Sequence, residues 1–588
     1  MFLKEGTAMK NRTLKALFAL ALALILTLGA LSACTISFET EKGAAPGAAD
    51  LAAAKNAGGD DLKDLVIDTT IDLNDEKTAV TGNGAVFENG VLTISKSGAY
   101  ALKGKLSDGQ ILVDTEDEAK VKLLFDGVTI HSSTSAPLLI LSSPKETKLL
   151  LAEGSENTLS DESGRTAQEN DDPDAVIWSK DDLEISGTGT LNAEANYARG
   201  IVTRDTLQIS GGTLNVTAAD DALRGRDGVD ISGGVLNLRS GGDGIQASDE
   251  DKGSLTVSGG VLSLNTDKDG LQAAAALTIS GGVLELTSGA SAIKGAADVK
   301  ISGGRLSVDA ANDGIHADGS LTVSGGSILI SECDEGLEGT TVTVSGGSLD
   351  ITASDDGINA AAPGSADNDG FVSPTSENGA PAEPPATGVF TPPTGEDGRP
   401  PEPPTGESGS FTPPERPEPG EFTPPTDGTG RPQGGFPGGN PGAFGYDAAS
   451  SITISGGSIT VSTGGDGLDS NGDIKMTGGS LTVFGPTNNG NSAVDYGGSF
   501  EMTGGTLLAV GAAGMAQSVS SGYAAIAAAC EIGEGDKVEL RAKSGKTLTS
   551  FAAPKKIGHI VFADGAVKAG ESYSVVVNGN VVSEVVGR

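Results

Sequence analysis

A short phrase recurs along this chain: an apolar residue, any residue, Ile or Val, Ser-Gly-Gly, any residue, then Leu or Ile. Successive copies are 21, 22 or 26 residues apart, except for one gap of 110. Each unit contains strand-like runs and no helical periodicity, and it is too short for a propeller blade. The repeat therefore predicts one coil of a parallel β-solenoid per unit. The repeated Ser or Thr residues are Ser210, Ser232, Ser258, Ser280, Ser302, Ser324, Ser345, Ser455, Thr477 and Thr503.

The second half of each unit is equally regular. An apolar residue follows 13 positions after the Ser in eight units, and an acidic residue precedes it by two positions in seven of these eight. Each coil thus reads as a strand, a Gly-Gly corner, a second strand, a polar loop and an Asp-Gly-Ile/Leu strand, with glycine at corners that need positive φ. The predicted class is all-β: a single-stranded parallel β-helix of about 22 residues per coil with irregular β caps at both ends.

The composition limits the classes of ligand that the chain can bind. A formal charge of −40 argues against nucleic-acid binding and favours solubility or cation binding. The chain has three His, and apart from Cys34 only Cys333 and Cys530, with no zinc-ligand spacing. We therefore expect neither a disulfide framework nor imidazole-based metal chemistry.

Residues 1–34 have the pattern of an export signal. Basic residues precede an apolar run that ends in Leu31-Ser32-Ala33-Cys34, which resembles a bacterial lipobox. We expect cleavage before Cys34 and lipidation of its sulfur, hence an extracytoplasmic protein anchored to the bacterial membrane only by lipid and exposed at the cell surface. An ordinary cleaved secretory signal is the alternative.

Composition and repeats divide the rest of the chain. The prediction is a flexible tether at 35–61, N-terminal capping coils at 62–180, regular coils at 181–362, coils again at 450–510 and a C-terminal β cap at 511–588. Residues 363–449 are rich in Pro and Gly and predict a disordered insertion within one coil. This segment is a tolerated insertion, a spacer or an adhesive arm.

The acidic positions predict a calcium site. Neighbouring coils stack about 4.8 Å apart, and Ca²⁺ binds oxygen at about 2.3–2.6 Å, so carboxylates on adjacent coils can share one ion. The alternative is that Asp-Gly is turn chemistry, with each Asp side chain bonding backbone. The predicted metal ligands are Asp220, Asp221, Asp243, Asp269, Asp313, Asp334, Glu335, Asp355, Asp356 and Asp466.

Several stretches resemble a known family. They are the run 97–111, Glu153-Gly154-Ser155-Glu156-Asn157-Thr158-Leu159, Ser179-Lys180-Asp181-Asp182-Leu183 and 200–205. These runs are similar to the carbohydrate-binding, pectate-lyase-like β-helix lipoproteins of clostridial cell surfaces, over roughly 62–360 and 450–588. The resemblance implies a right-handed, calcium-binding β-helix, as the usual crossover rule also favours. It also implies binding of acidic pectic polysaccharide and of cellulose, without established catalysis.

The leading hypothesis is therefore a monomer that binds polygalacturonate-type glycan in a Ca²⁺-dependent way and does not cleave it. A lyase would need a basic residue beside the ion, and the basic residues on the equivalent face are also the candidate carbohydrate ligands. These are Arg204, Arg224, Arg226 and Lys294. The open alternatives are such a calcium-dependent polysaccharide lyase, or a surface adhesin or envelope scaffold acting through the Pro-rich segment.

Overall fold

The computed structural model describes residues 46–165, 173–362 and 446–588. They form a parallel β-solenoid of about 15 turns with about 23 residues per turn, and irregular strands lie at its ends. The predicted fold class is confirmed. The signal segment, Cys34 and all but the last few residues of the predicted insertion lie outside the described residues.

Three parallel sheets run along the solenoid, with strands numbered along the chain. Sheet 1 precedes the Gly-Gly corner, sheet 2 follows it, and sheet 3 contains the Asp-Gly-Ile/Leu segment. Sheet 1 contains β1 (Thr69–Leu73), β5 (Gly98–Leu106), β7 (Val121–Ser132), β9 (Thr147–Leu151), β12 (Leu183–Gly187), β15 (Thr206–Ile209), β18 (Gly228–Ile231), β21 (Ser254–Val257), β24 (Leu277–Ile279), β27 (Val299–Ile301), β29 (Ile315–Val323), β31 (Leu337–Val344), β34 (Ser451–Ile454), β37 (Asp473–Phe484), β39 (Phe500–Gly511) and β40 (Ser521–Gly522).

Sheets 2 and 3 complete each turn. The second halves of β5, β7, β37 and β39 also extend into sheet 2, and the first halves of β29 and β31 into sheet 3. Sheet 2 contains β10 (Glu156–Asp161), β13 (Thr190–Ala195), β16 (Thr213–Ala218), β19 (Val235–Ser240), β22 (Val261–Thr266), β25 (Val283–Ser288), β28 (Arg305–Ala310), β30 (Ser327–Glu332), β32 (Ser348–Ala353) and β35 (Ser458–Thr463). Sheet 3 contains β4 (Val91–Ile94), β6 (Gln110–Asp114), β8 (Leu138–Ser142), β11 (Ala175–Ser179), β14 (Arg199–Thr203), β17 (Leu223–Gly225), β20 (Ile245–Ala247), β23 (Leu271–Ala273), β26 (Ile293–Gly295), β33 (Ile358–Ala360), β36 (Leu468–Ser470) and β38 (Asp495–Tyr496).

Like residues stack on like in the core. Leu255 pairs with Leu277 in sheet 1, Leu264 with Leu286 in sheet 2, and Ile245 with the equivalent Leu in sheet 3. Because successive side chains of a strand point to opposite faces, the alternate apolar residues all enter one narrow interior and are almost fully buried. The result is an aliphatic core that extends along the solenoid.

The Gly-Gly corner is required for two different reasons. A Cβ on the first glycine, as at Gly281, would overlap the carbonyl oxygen of Ser258 on the preceding coil. The second glycine, Gly282, has φ of +91°, which side chains resist. The corner therefore lets one coil lie directly on the previous one.

A helix replaces part of the predicted tether. Helix α1 (Ala48–Asn56) lies within the stretch expected to be flexible, and a 3₁₀ turn (Gly59–Leu62) extends one residue beyond it, so a flexible tether is not what the structure shows at 48–56 and 59–61. Ala54 packs against the outer valines of sheet 2, and the Asp50 carboxylate pairs with Arg305 at 2.7 Å. The small Gly-Gly corners and valines provide the flat surface on which the helix lies.

Antiparallel strands cover the open ends of the solenoid. At the N-terminal end β2 (Ala79–Thr81) pairs with β1, and β3 (Ala85–Glu88) pairs with β4. At the other end β44 (Ile557–Asp564) pairs with β39 and with β41 (Ala525–Ile532). A separate antiparallel sheet contains β42 (Lys537–Ala542), β43 (Thr547–Ala552), β45 (Ser572–Val577) and β46 (Asn580–Val586). An Asn578-Gly579 turn joins β45 to β46 with positive φ at both residues.

The coils resume in register beyond the Pro-rich segment. Ile358 pairs with Leu468, and Val344 pairs with Ile454. None of the helices in the described ranges combines the length and apolarity that crossing a bilayer would need.

Substituting the first corner glycine tests the close stacking. Gly281→Ala should lower the free energy of unfolding by about 2 kcal/mol or more, because the added methyl overlaps backbone that cannot rotate away. Gly127 provides the control, since its φ is +84° and no atom lies within 4 Å of an added Cβ. Gly127→Ala should cost only the conformational strain, about 1–2 kcal/mol. Urea midpoints measure both, and an equal loss would contradict the stacking argument.

Candidate carbohydrate and cation sites on sheet 3

The acidic positions form a row along sheet 3 in which Ser291 occupies one place. Backbone N–H groups connect its members: that of Asp243 donates to Oδ1 of Asp221 at 3.0 Å, and that of Asp269 donates to Oδ1 of Asp243 at 3.1 Å. The N–H of Ser291 donates to Asp269 in the same way, at 3.0 Å. The predicted stacking is therefore present. These carboxylates bond backbone, as in the turn-chemistry alternative, but the donor comes from the next coil.

The first rungs are buried, and their carboxylate oxygens already accept hydrogen bonds. Asp221, Asp243 and Asp269 are 3%, 5% and 7% exposed. The second oxygen of Asp243 accepts the Gln246 amide at 2.8 Å, so each of its oxygens already has a donor. Burial, together with the charges of Asp221 and Asp269, raises the pKa of Asp243 to about 6.

An arginine that the sequence analysis missed begins this row. Arg199 contacts Asp221 through Nε at 2.9 Å and Asp220 through Nη2 at 2.7 Å, and it also pairs with Asp174. Arg199 precedes Ile201 by two residues, just as Asp221 precedes Leu223, and Ile201 pairs with Leu223. This shared position in the repeat could have indicated Arg199 from the sequence. Both oxygens of Asp221 are therefore engaged, and an internal cation neutralises this end of the row.

Two Gly-Gly-Asp-Gly runs mark corresponding places in the row. A Cβ on Gly242 would lie 2.5 Å from Oδ1 of both Asp220 and Asp221 on the preceding coil. A Cβ on Gly465 would similarly overlap Oδ1 of Asp355 and of Asp356. Each glycine leaves open a cradle into which two carboxylates point.

The cradle at Gly465 is surrounded by acid. The carboxylate cluster, defined here as Asp355, Asp356, Asp466 and Asp469, includes one residue that the sequence analysis missed, Asp469. Burial, followed by the charges of Asp469, Asp466 and Asp355, raises the pKa of Asp356 to about 9. The sequence could have indicated Asp469, because it directly follows Leu468, the repeated apolar residue of its coil in sheet 3.

A neutral oxygen stands beside this cluster. Asn359 occupies the rung between Glu338 and Asp469, is 2% exposed, and its Oδ1 has no hydrogen-bond partner in the described structure. Carboxylate and amide oxygens are the donors that Ca²⁺ prefers. The oxygens at this end of the row are thus of the kind that calcium binds, and Asn359 Oδ1 has no hydrogen-bond partner in the described structure.

The middle rungs have polar partners of their own. Asp313 accepts the Ser291 hydroxyl at 3.0 Å, Asp334 accepts a serine hydroxyl of the next coil at 2.7 Å, and Glu335 accepts the Asn359 amide at 3.0 Å. Asp313, Asp334 and Glu335 therefore continue the acidic row, each with its own hydrogen-bond partner, and do not form one carboxylate cluster.

Three of the four predicted carbohydrate ligands meet in one pocket. This arginine pocket has a volume of about 90 Å³ and opens on the outer face of sheet 3. Lys294 is not part of it, because it lies three rungs beyond Arg224, roughly 14 Å at about 4.8 Å per rung. The pocket is lined by Asp174, Arg199, Val202, Thr203, Arg204, Arg224, Arg226 and Ser248.

Arg224 is the guanidinium best placed to receive an anion. Its Nε donates to the Ser248 hydroxyl at 3.2 Å, and it forms no ion pair within the described parts of the chain. Burial and then the neighbouring charge of Arg199 lower the pKa of Arg224. Arg226 in contrast pairs with Asp249 at 3.1 Å, and Arg204 lies over the Trp178 ring at 5.8 Å.

A family model of carbohydrate-binding domain-containing proteins matches residues 88–339 and 331–490, which is more than half of the chain. The chain belongs to this family. The arginine pocket and the carboxylate cluster both lie inside the matched region.

Two individual proteins are similar to it. A carbohydrate-binding domain-containing protein of Acetivibrio thermocellus is 39% identical over 147 residues, 25% of this chain and 51% of that protein. The matched region thus spans about half the length of this relative. The solved structure of a polysaccharide lyase-like protein from C. thermocellum, a gadolinium derivative, is 27% identical with a TM-score of 0.36. That comparison covers 45% of this chain and 99% of the other.

The buried row predicts a pH effect on stability. Since the folded pKa of Asp243 is raised from 3.8 to about 6, the folded state binds the proton more tightly than the unfolded state, and stability is lost as pH rises between these values. Asp243→Asn keeps an oxygen for the Asp269 N–H and should be more stable than the parent at about pH 7.5 by roughly 1–3 kcal/mol.

Urea unfolding at two pH values measures this effect. At about pH 4 the advantage of Asp243→Asn should be smaller, because the parent carboxyl is then protonated in the folded state. The exposed Asp230 on sheet 1 provides the control, and Asp230→Asn should leave both midpoints unchanged. An advantage of Asp243→Asn that is independent of pH would contradict the proposed repulsion.

Proposed function

We propose that this protein binds an acidic plant cell-wall polysaccharide of the polygalacturonate type along the outer face of sheet 3, without cleaving it. The observation that carries the proposal is the arginine pocket, a local concentration of guanidinium groups in a chain of net charge −40. Membership of a carbohydrate-binding family supports a saccharide ligand.

Arg224 would receive a uronate carboxylate. A planar guanidinium binds a carboxylate through two parallel hydrogen bonds, and partial burial strengthens that attraction. The guanidinium of Arg204, which lines the pocket, lies over the Trp178 ring at 5.8 Å, within the range of a cation–π attraction. Binding at this site needs no cation.

Calcium would act at the other end of the same face. From Arg224 to Asp469 the outer row of sheet 3 advances seven rungs, about 34 Å at 4.8 Å each, which is long enough for several sugar units. The residues that would hold the ion are Asp355, Asp356, Asp466 and Asp469. Calcium bound there would neutralise the acidic cluster and offer a positive charge to a second uronate.

The cellular setting remains part of the proposal. The Leu31-Ser32-Ala33-Cys34 sequence supports lipid anchoring at Cys34, which would hold the solenoid outside the cytoplasm at the cell surface. A surface-exposed monomer would then present sheet 3 to cell-wall polysaccharide.

Removing the Arg224 guanidinium should weaken polygalacturonate binding. Calorimetric titration of Arg224→Ala should show at least about tenfold lower affinity than the parent, the loss of about 1.4 kcal/mol. Arg239 is the matched control because it is exposed on sheet 2, away from the pocket. Undiminished binding by Arg224→Ala, or an equal loss in Arg239→Ala, would contradict the proposal.

Chelation should separate the two parts of the site. With EDTA the parent should retain the Arg224-dependent affinity but lose the increase that Ca²⁺ produces. Asp356→Asn should abolish that increase in the presence of calcium, whereas Asp309→Asn, an exposed residue of sheet 2, should not. Equal affinity of the parent with Ca²⁺ and with EDTA would remove calcium from the proposal.

One observation favours a second candidate, uronate β-elimination. The pKa of Arg224 is lowered, which makes it a better base for the proton α to a uronate carboxylate. Arg224 would take the C5 proton, the electrons of that bond would form a C4=C5 double bond, and the C4–O bond would break, with the departing oxygen taking a proton from water. Incubation with polygalacturonate and calcium tests this by near-ultraviolet absorbance, which Arg224→Ala would have to abolish; no absorbance change would exclude the lyase.

A further inference from the structure

Sheet 3 brings a histidine between two carboxylates that are distant in sequence. His316 and Glu338 occupy adjacent rungs in direct register, and Asp313 lies three residues before His316. One ligand atom from each of the three lies within 4.8 Å of those of the others. His316 Nδ1 is 3.5 Å from Asp313 Oδ2 and closer still to Glu338 Oε2.

The side chains around this trio hold it in place. The other ring nitrogen of His316, Nε2, lies 2.8 Å from the Asp318 carboxylate, and Asp313 accepts the Ser291 hydroxyl at 3.0 Å. A carboxylate on the second nitrogen is the usual support of a metal-binding histidine, because it fixes the tautomer and orientation of the ring. The side chains of Asp313, His316 and Glu338 are 19–25% exposed, which leaves the site open on one side.

We propose that Asp313, His316 and Glu338 form a binding site for a zinc-type divalent ion, with Asp318 positioning the imidazole. Zinc accepts nitrogen and carboxylate oxygen at about 2.0–2.2 Å in tetrahedral geometry, which places ligand atoms roughly 3.3 Å apart. The observed spacing needs only small side-chain rotations to meet this. Three protein ligands leave a fourth position for water or a ligand oxygen.

The imidazole separates this site from the calcium cluster. Calcium selects oxygen ligands, whereas imidazole nitrogen favours zinc and its neighbours among the transition metals. The site lies on the same outer face as the arginine pocket, four rungs from Arg224, or about 19 Å. It does not depend on the proposed saccharide ligand.

A proton is the competitor for this position. Although burial opposes it, hydrogen bonds with Glu338 and Asp318 and the charge of Asp313 raise the pKa of His316 to about 9. Without metal the ring is therefore an imidazolium held between carboxylates. The same negative groups that attract the proton would attract a divalent cation.

Titration of EDTA-stripped full-length protein with Zn²⁺ tests the proposal. The parent should bind one Zn²⁺ that His316→Gln loses, with affinity lowered at least about a hundredfold, because removing a direct ligand costs more than the 10–100-fold typical of a supporting residue. Asp318→Asn should weaken binding by about 10–100-fold. Co²⁺ used as a probe should give visible absorption bands in the parent and in Asp318→Asn at saturation, but not in His316→Gln.

Two control variants make the result specific. His131 lies 3.6 Å from one carboxylate, that of Glu162, so His131→Gln should bind Zn²⁺ like the parent. Asp356→Asn should also retain the ion, which separates this site from the calcium cluster. Absence of zinc uptake by the parent would mean that His316 forms only an imidazolium ion pair. Uptake that is unchanged in His316→Gln would mean that the ion binds elsewhere. Either result would overturn the proposal. Displacement of Zn²⁺ by a hundredfold excess of Ca²⁺ would do so as well.

Discussion

Direct contact between the backbones of successive coils is the constraint on which this structure depends. A coil can lie on its neighbour only where no side chain intervenes, and Gly281 and its equivalents remove the Cβ that would strike the carbonyl below. Once contact is made, parallel hydrogen bonding places each residue over its counterpart. The aliphatic core, the acidic row and the outer row of sheet 3 all follow from that single geometric condition.

The same stacking creates an electrostatic problem that the chain solves in several ways. Like charges at about 4.8 Å repel strongly in a partly buried setting. At one end of the row Arg199 neutralises Asp220 and Asp221, whereas Ser291 interrupts the row at its centre with an uncharged hydroxyl. Towards the other end, burial and then the charges of Asp469, Asp466 and Asp355 raise the pKa of Asp356. The cradles at Gly242 and Gly465 thus have similar backbone geometry, but an arginine neutralises the first and further carboxylates surround the second.

The solenoid and its three strands per coil could be predicted because a sequence repeat shows which residues of successive coils occupy equivalent positions. The acidic row could be predicted for the same reason, but its hydrogen bonding could not, since both interpretations of Asp-Gly place the side chain at one position. Arg199 was missed because its coil lacks the full repeat phrase, and Asp469 because outer positions vary from coil to coil. His316 was discounted because spacing along the chain does not reveal a pairing with Glu338 across coils. Helix α1 was missed since its Ala-rich sequence is weakly amphipathic and is stabilised by packing on sheet 2.

The pairing of Ile358 with Leu468 has a consequence for how such a protein can change. Asp466 donates its N–H to the carboxylate of Asp356, although 110 positions separate them in the chain. Any polypeptide joining these two neighbours starts and finishes at nearly the same point in space, and lengthening a connection of that kind costs little free energy. A change in the length of the chain between β33 and β34 should therefore leave the paired strands on either side of that connection intact.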